Sequence, residues 1–406
     1  MTLSKIVQSV ELARLKMQNK TDKNLTVFII AGEVSGDVLG ARIMAEMPDA
    51  KFIGIGGENM TAAGLQSLFP MGDLAVMGVF EVAAHARTLL RRIRQTADAI
   101  IAARPDVVLT IDAPGFARNV ITQVRKMPAG RALIADGLKF HHVVAPQVWA
   151  WRPSRAKQYA EMFDKLYAFF DFEVPYFTKY GLDTVAVGHP ISDGLIGKYK
   201  SVHYHDGDAE KIITLVPGSR MSEVKRLMPI FRRTAETLIA NGYAGYKFVI
   251  PTVETTADYV RAQVARWRVP TTLIPSSQRY SAYAKSYMAI AASGTVSAEL
   301  AMLHIPAIII YKMNPITAWL VRQVIRIKWV SLVNILLNHG VYPEYLGGDA
   351  TAENVLDAVG QLSIPSVRNK MIADLARADK LWRRDGGTPA ALIAYGVRAA
   401  AAARRK

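Results

Sequence analysis

TVFIIAGEVSGD, residues 26–37, decides the fold. Val27, Phe28, Ile29 and Ile30 run without polar alternation, the pattern of a parallel strand buried on both faces. The run stops in small residues, where Gly32 and Gly36 permit a tight turn and close backbone approach. Ser35 or Asp37 can cap the helix that follows, whose N-terminal amides favour a negative group. A strand–turn–helix of this kind sets Glu33, Ser35 and Asp37 at the carboxyl end of a sheet, where open α/β folds bind ligands.

Outward from this stretch, apolar strand segments alternate with helical patterns. In the first half they fall at 26–31, 51–55, 106–111, 140–145, 165–170 and 184–187, with helical stretches over 40–47, 79–103 and 153–162. A polar segment, KYKSVHYHDGDAEK at 198–211, reads as a linker. The pattern restarts at 212–216, 246–250, 271–274, 286–290 and 306–311. This order predicts an α/β chain of two Rossmann-like, doubly wound domains. They span 25–205 and 206–350, after an extension over 1–24 and before a helical segment over 351–406.

A chain of 406 residues, 51% hydrophobic and 21% charged, has enough apolar material for two cores. The absence of cysteine excludes disulfides, thiolate metal sites and a cysteine nucleophile. The first 24 residues lack the apolar core and small-residue cleavage site of a secretory signal. No apolar run reaches the roughly 18–20 residues that span a bilayer, so the sequence predicts a chain that does not cross one. Fifty Lys and Arg against 34 Asp and Glu give a formal charge of +16, which points to an anionic partner. No zinc-finger spacing, basic zipper or RNA-recognition signature is present, so a phosphorylated substrate or a membrane surface ranks above nucleic acid.

The second half opens with VPGSRMSEVKRL from residue 216. Gly218 permits a turn, Ser219 can donate to an oxygen, and Arg220 can grip a diphosphate, while Glu223 either orients that arginine or begins the helix. The strand at 286–290 runs into AASGTVSAEL, where Ser293, Gly294 and Thr295 again offer backbone and hydroxyl donors. Two such turns in one domain make a cradle for a nucleotide diphosphate. A P-loop is absent, and the GxGG of residues 54–57 lacks the full dinucleotide spacing. His141, His142 and His189 have no companion carboxylate at metal-ligand spacing and read as core histidines.

Eight separated motifs, in this order, carry a specific resemblance. They are AGEVSGD (31–37), AVMGVFEV (75–82), IDAP (111–114), VWAWR (148–152), GHP (188–190), PGSR (217–220), ASGTVSAE (292–299) and WVSLVNIL (329–336). From about residue 26 to 350 the chain resembles the lipid-A-disaccharide synthase family, metal-independent inverting glycosyltransferases of the two-domain GT-B architecture with a cleft between the domains. The resemblance implies that UDP-2,3-diacylglucosamine is joined to 2,3-diacylglucosamine 1-phosphate through a β-1,6 linkage, with release of UDP. It implies no cofactor and no catalytic metal, a homodimer with the C-terminal helices returned to the first domain or exchanged, and a cytoplasmic location peripheral to the anionic inner membrane. Another UDP-sugar transferase or epimerase, or a nucleotide-sugar- or lipid-binding protein without turnover, are the competing classes.

The same resemblance distributes roles. Asp112, directly after the strand DVVLTI, becomes the base that accepts the acceptor's 6-hydroxyl proton, and Arg220 stabilises the departing UDP. Gly218, Ser219, Ser293, Gly294, Thr295, Glu299 and Asn334 become donor contacts, Glu299 facing ribose hydroxyls. Glu33, Ser35, Met77, Val79 and Phe80 become acceptor or pocket residues. After IDAP the family pattern continues Asp-Phe and then Asn, whereas this chain reads Gly115-Phe116-Ala117-Arg118-Asn119 and lacks that second carboxylate. Within 79–94, Val79, Val82, Leu89, Leu90 and Ile93 can share a helical face beside a stripe of Arg87, Arg91 and Arg94. Such a helix either lies on an anionic membrane or is a core helix with a basic edge.

Overall fold

A computed structural model describes residues 25–74, 79–195, 198, 199, 201, 204, 210–243, 245–312 and 328–404, the side chains of 79–86 excepted. The extension over 1–24 and Met77 therefore lie outside the described residues, as do the side chains of Val79, Phe80 and Val82. The chain divides into two compact units, one comprising everything up to Pro190 together with the segment from Arg383, the other Ile191–Trp382.

The first unit begins β1 (Thr26–Ala31), α1 (Val34–Ala45), β2 (Lys51–Ile55), α2 (Glu58–Ala62), α3 (Val79–Ala103), β3 (Val107–Ile111) and α4 (Pro114–Lys126). It continues α5 (Pro128–Ala135), β4 (Lys139–Val143), α6 (Arg155–Met162), β5 (Lys165–Ala168), α7 (Pro175–Thr178) and β6 (Asp183–Ala186). The second unit opens α8 (Ser192–Leu195), β7 (Lys211–Val216), α9 (Met221–Ala240), β8 (Tyr246–Thr252), α10 (Glu254–Val264), β9 (Thr271–Pro275) and α11 (Arg279–Ala284). It closes with β10 (Met288–Ala292), α12 (Thr295–Met302), β11 (Ala307–Tyr311), α13 (Leu332–Leu337), β12 (Glu344–Leu346), α14 (Ala352–Leu362) and α15 (Pro365–Trp382). The last helix, α16 (Pro389–Arg404), belongs to the first unit.

Each unit is built on a six-stranded sheet, ordered β2-β1-β3-β4-β5-β6 in the first and β12-β11-β10-β7-β8-β9 in the second. All the strand pairings are parallel. The apolar runs explain this, because a parallel sheet is covered on both faces. In the first sheet Phe28, Ile30, Val108 and Phe140 face α3, α4 and α6, while Val27, Ile29, Val107 and Leu109 face α1 and α16. Strand order reverses direction between β1 and β3 in one sheet and between β7 and β10 in the other. These are the switch points at which doubly wound sheets open a crevice at their carboxyl ends.

The structure moves several sequence-based boundaries. The division falls at Pro190, not near residue 205, because the residues that follow attach to the second unit. Ser192 and Leu195 are buried, the Ser201 hydroxyl donates to the Leu303 carbonyl, and the Tyr204 hydroxyl donates to the Lys285 carbonyl at 2.6 Å. The C-terminal segment is split: Glu353 of α14 pairs with Arg233 at 2.5 Å, whereas Arg398 of α16 pairs with Asp49. Helix α1 starts at Val34, so Asp37 lies inside it and caps nothing there. Its buried carboxylate instead accepts from the amides of Gly57 (2.7 Å), Asn59 (2.9 Å) and Met60 (3.0 Å) and from the Asn59 side chain (2.8 Å), fastening the start of α2.

The predicted single apolar face of α3 also divides. Ile93 enters the core with Leu89 packed beside it, but Leu90 is 66% exposed and joins the exposed Arg87, Arg91 and Arg94. At 100° per residue Leu89 and Ile93 nearly superpose, and Leu90 is turned toward the arginines.

Candidate active site

At the switch point of the first sheet the turns after β1 and β3 touch. A Cβ on Gly32 would stand 2.2 Å from the Ala113 Cβ, so the close approach requires glycine. Asp112 and Ala113 are both left-handed, at φ 54° and 47°, a conformation that costs L-residues free energy and collects at functional sites. The Asp112 amide donates to the Val143 carbonyl at 3.1 Å, and its Oδ1 accepts from the Ala113 amide at 2.9 Å. Burial raises the Asp112 pKa above the ordinary carboxylate value, and the Ala113 amide only partly offsets that. A half-buried carboxylate at a strand end, made more basic by desolvation, is suited to accepting a proton. Glu33, on the neighbouring turn, and Val34 and Ser35, at the start of α1, stand exposed, Val34 at 69%.

The loop after β4 shares this edge. Val144 and Arg152 are left-handed as well, at φ 80° and 52°. Trp149 packs edge-on against Phe172, whereas Trp151 is 40% exposed and carries the Arg152 guanidinium 4.3 Å over its ring. His141 and His142 are core residues. Tyr167 Oη lies 3.1 Å from His141 Nδ1, and Thr110 Oγ1 lies 2.6 Å from His142 Nδ1. Burial pushes the pKa of His141 down to about 4, of His142 to about 3 and of His189 to about 4. Among the described residues no cluster of three or more His, Asp or Glu is placed to hold a metal ion.

At the switch point of the second sheet a cavity of about 340 Å³ opens beyond β7 and β10, lined by Gly218, Ser219, Arg220, Ser293, Gly294, Thr295 and Glu299 among others. Gly218 (φ 93°) and Gly294 (φ 140°) both need the freedom of glycine. Nothing lies within 4 Å of where a Gly294 Cβ would be, so a ligand can reach the backbone at the start of α12. Arg220 donates to Glu223 at 3.0 Å, so Glu223, which also stands in the first turn of α9, orients it as well. Glu299, 7% exposed, accepts at Oε1 from the Tyr280 hydroxyl at 2.8 Å and from Arg279 at 3.4 Å. Arg279 lines the cavity too and went unnoticed in the sequence, since PSSQRYSAYA around it has no motif spacing.

Asn334 requires a correction. It is fully buried, and its side chain donates to the Tyr342 carbonyl (2.9 Å) and Glu344 (2.8 Å) while accepting from the amides of Val341 and Tyr342 (2.9 Å each). An amide has two donors and two acceptor positions, and all four are used. Asn334 pins the return from α13 to β12, and leaves no group for direct contact with a nucleotide.

A family model described as lipid-A-disaccharide synthetase matches residues 27–378. The chain belongs to the lipid-A-disaccharide synthase family. Membership makes it a glycosyltransferase of lipid A biosynthesis. The lipid-A-disaccharide synthase of Rhodospirillum centenum is 41% identical, over 90% of this chain and 92% of that one. That of Gluconobacter oxydans is 37% identical, over 90% and 88%. Among solved structures, MurG of Acinetobacter baumannii aligns with a TM-score of 0.57 over 92% of this chain and 99% of that chain. UDP-GlcNAc 2-epimerase of Neisseria meningitidis, bound to UDP-GlcNAc, aligns with a TM-score of 0.54 over 93% and 98%. At 12% identity each, these two show the shared GT-B-like fold alone. Among the described residues no helix is long and apolar enough to cross a membrane.

Proposed function

We propose that the chain transfers diacylglucosamine from UDP to the 6-hydroxyl of 2,3-diacylglucosamine 1-phosphate, giving the β-1,6-linked disaccharide 1-phosphate and UDP. Asp112 carries this reading: a desolvated carboxylate held in a left-handed turn at a sheet switch point. It accepts the hydroxyl proton as the acceptor oxygen attacks the anomeric carbon and the bond to the UDP oxygen breaks, inverting that carbon. Charge on the leaving diphosphate is met by Arg220 and by the open backbone at the start of α12, with Ser219, Ser293 and Thr295 as hydroxyl donors. Glu299, oriented by Tyr280 and Arg279, accepts from ribose hydroxyls. Glu33, Ser35 and the exposed Val34 serve the acceptor.

Leu90, Arg87, Arg91 and Arg94 form an outward strip that suits peripheral attachment to the anionic cytoplasmic face of the inner membrane. A homodimer completes the reading, and light scattering distinguishes it from a monomer. The decisive experiment mixes the purified protein with both diacylated sugars and measures UDP. Release by the wild type and its loss in Asp112→Asn, with UDP affinity retained, is the expected result; no release by the wild type sinks the proposal.

A further inference from the structure

Helices α4 and α6 share one face of the first sheet, contributing Phe116, Val120, Tyr159 and Met162 to the same core. Their C-terminal ends are tied, because the Arg125 guanidinium donates to the carbonyls of Glu161 and Met162 at 2.9 Å each. Both helices run back from the carboxyl edge of the sheet, so their N-terminal ends, the positive ends of two macrodipoles, lie on the edge that holds Asp112. Apart from Asp112, two residues ahead of α4, neither end carries a negative charge of its own. There is no acidic residue in either first turn and no side-chain cap on either helix. Gly115, where the family pattern has a carboxylate, leaves open space, with nothing within 4 Å of a Cβ built there.

Arginines stand at both ends instead. Arg118 is exposed near the start of α4, and the half-buried Arg155 opens α6. Among the described residues neither takes part in an ion pair. Cations at the positive ends of helices favour the arrival of an anion.

One turn along α6 from Arg155, Tyr159 supplies a second, independent sign. It is 4% exposed, its oxygen accepts from the neighbouring Arg155 side chain, and no acceptor stands opposite its O–H. Burial keeps the phenol protonated, and Arg155, Asp112 and Arg118 are charged groups close enough to act on it. A buried O–H donor without an acceptor is rare in a folded protein and marks a place where an acceptor belongs.

We propose that the neighbouring N-termini of α4 and α6 bind a phosphate monoester, gripped by the guanidinium groups of Arg118 and Arg155, with the Tyr159 hydroxyl donating to a phosphate oxygen. Resting on the function proposed above, the ligand is the 1-phosphate of the acceptor, so that Asp112 and this site hold two ends of one sugar.

The test uses the full chain and glucosamine 1-phosphate, with glucosamine as the phosphate-free control, followed by phosphorus NMR and calorimetry. Wild type should bind the phosphate sugar. Tyr159→Phe, which keeps the ring and its packing, and Arg155→Met should each weaken that binding about tenfold, the effect of losing one hydrogen bond to a charged group. UDP affinity should stay unchanged in both. In turnover, the KM for phosphorylated acceptor should rise about as much with kcat little altered, and dephosphorylated acceptor should be used equally by wild type and variants. Equal binding of glucosamine 1-phosphate by wild type and both folded variants overturns the site. Loss of binding to phosphatidylglycerol vesicles with glucosamine 1-phosphate binding intact assigns the arginines to lipid headgroups and overturns the acceptor assignment. The binding arm needs no turnover, so a wild type that binds the phosphate sugar yet releases no UDP refutes the proposed function and leaves the phosphate site standing.

Discussion

Gly32→Ala adds one methyl group at the tightest contact of the first unit. Its carbon would lie 2.2 Å from the Ala113 Cβ, more than an ångström inside the 3.4 Å at which ordinary contact begins. Neither side yields easily: Gly32 follows directly on the buried strand β1, and Ala113 already occupies a left-handed conformation at φ 47°. Relief must therefore shift the turn that carries Asp112. Overpacking of this kind destabilises by about 1–3 kcal/mol. A base displaced by about 1 Å loses about 10²-fold in rate. We expect kcat for disaccharide formation to fall by about that factor, with UDP affinity unchanged because the cavity proposed for the nucleotide lies in the other unit. Ala113→Gly removes the opposing methyl and suits the left-handed turn, so Gly32→Ala/Ala113→Gly should recover most of the activity. Turnover by UDP release and affinity by calorimetry decide it. Wild-type kcat in Gly32→Ala, or a double variant as slow as the single, would show that the Gly32–Ala113 contact does not position Asp112.

Four further outcomes follow from the same geometry. The kcat/KM profile should have an acid limb set by a carboxylate above the ordinary Asp value of 3.8, rising with pH as Asp112 ionises; Asp112→Asn should lose about 10²–10⁴-fold in rate, and retention of that limb in the variant would assign it elsewhere. Asn334→Ala should lower the urea midpoint, costing at least about 2 kcal/mol through the partners left unpaired, with UDP affinity little changed in the folded protein; unchanged stability with lost UDP binding would return Asn334 to the nucleotide. The first unit should lose stability as pH falls from 6.5 toward 4, because the unfolded chain protonates His141, His142 and His189 while the fold keeps them neutral down to about 4, 3 and 4. Glu173, its pKa raised to about 7, acts the opposite way between 4.5 and 7 but opposes only one of the three histidine protons, so a flat acid profile in denaturant titrations would refute this reading. Charge reversal of Arg87, Arg91 and Arg94 should release the protein from anionic vesicles at low salt, and unchanged sedimentation would confine that strip to a solvated helix edge.

The sheets were legible because parallel strands are buried on both faces and their residues show it as unbroken apolar runs. Among the described strands only β12 escaped, since EYL at 344–346 is too short to carry a pattern. Asp112, Gly218 and Gly294 were legible because strand ends followed by small residues mark the carboxyl edge. What the sequence concealed depends on distant partners. Asn334 looked available for a ligand until Val341, Tyr342 and Glu344 were seen to occupy it. Asp37 looked like a cap for its own helix, yet its partners lie 20 to 23 positions away in the chain. Arg279 and Tyr159 belong to no motif, and only packing brings them to their sites.

The return of α16 bears on how the molecule is made. Ile393, Val397 and Ala401 complete the face of the first sheet formed by Val27, Ile29 and Leu109, yet the whole second unit is encoded between them. A nascent chain emerging from the ribosome therefore finishes the second unit while the first still exposes an apolar sheet face. During that interval the exposed face is open to chaperones and to aggregation with neighbouring chains. Final closure joins residues more than 350 positions apart, so translation must reach α16 before the first unit can reach its full stability.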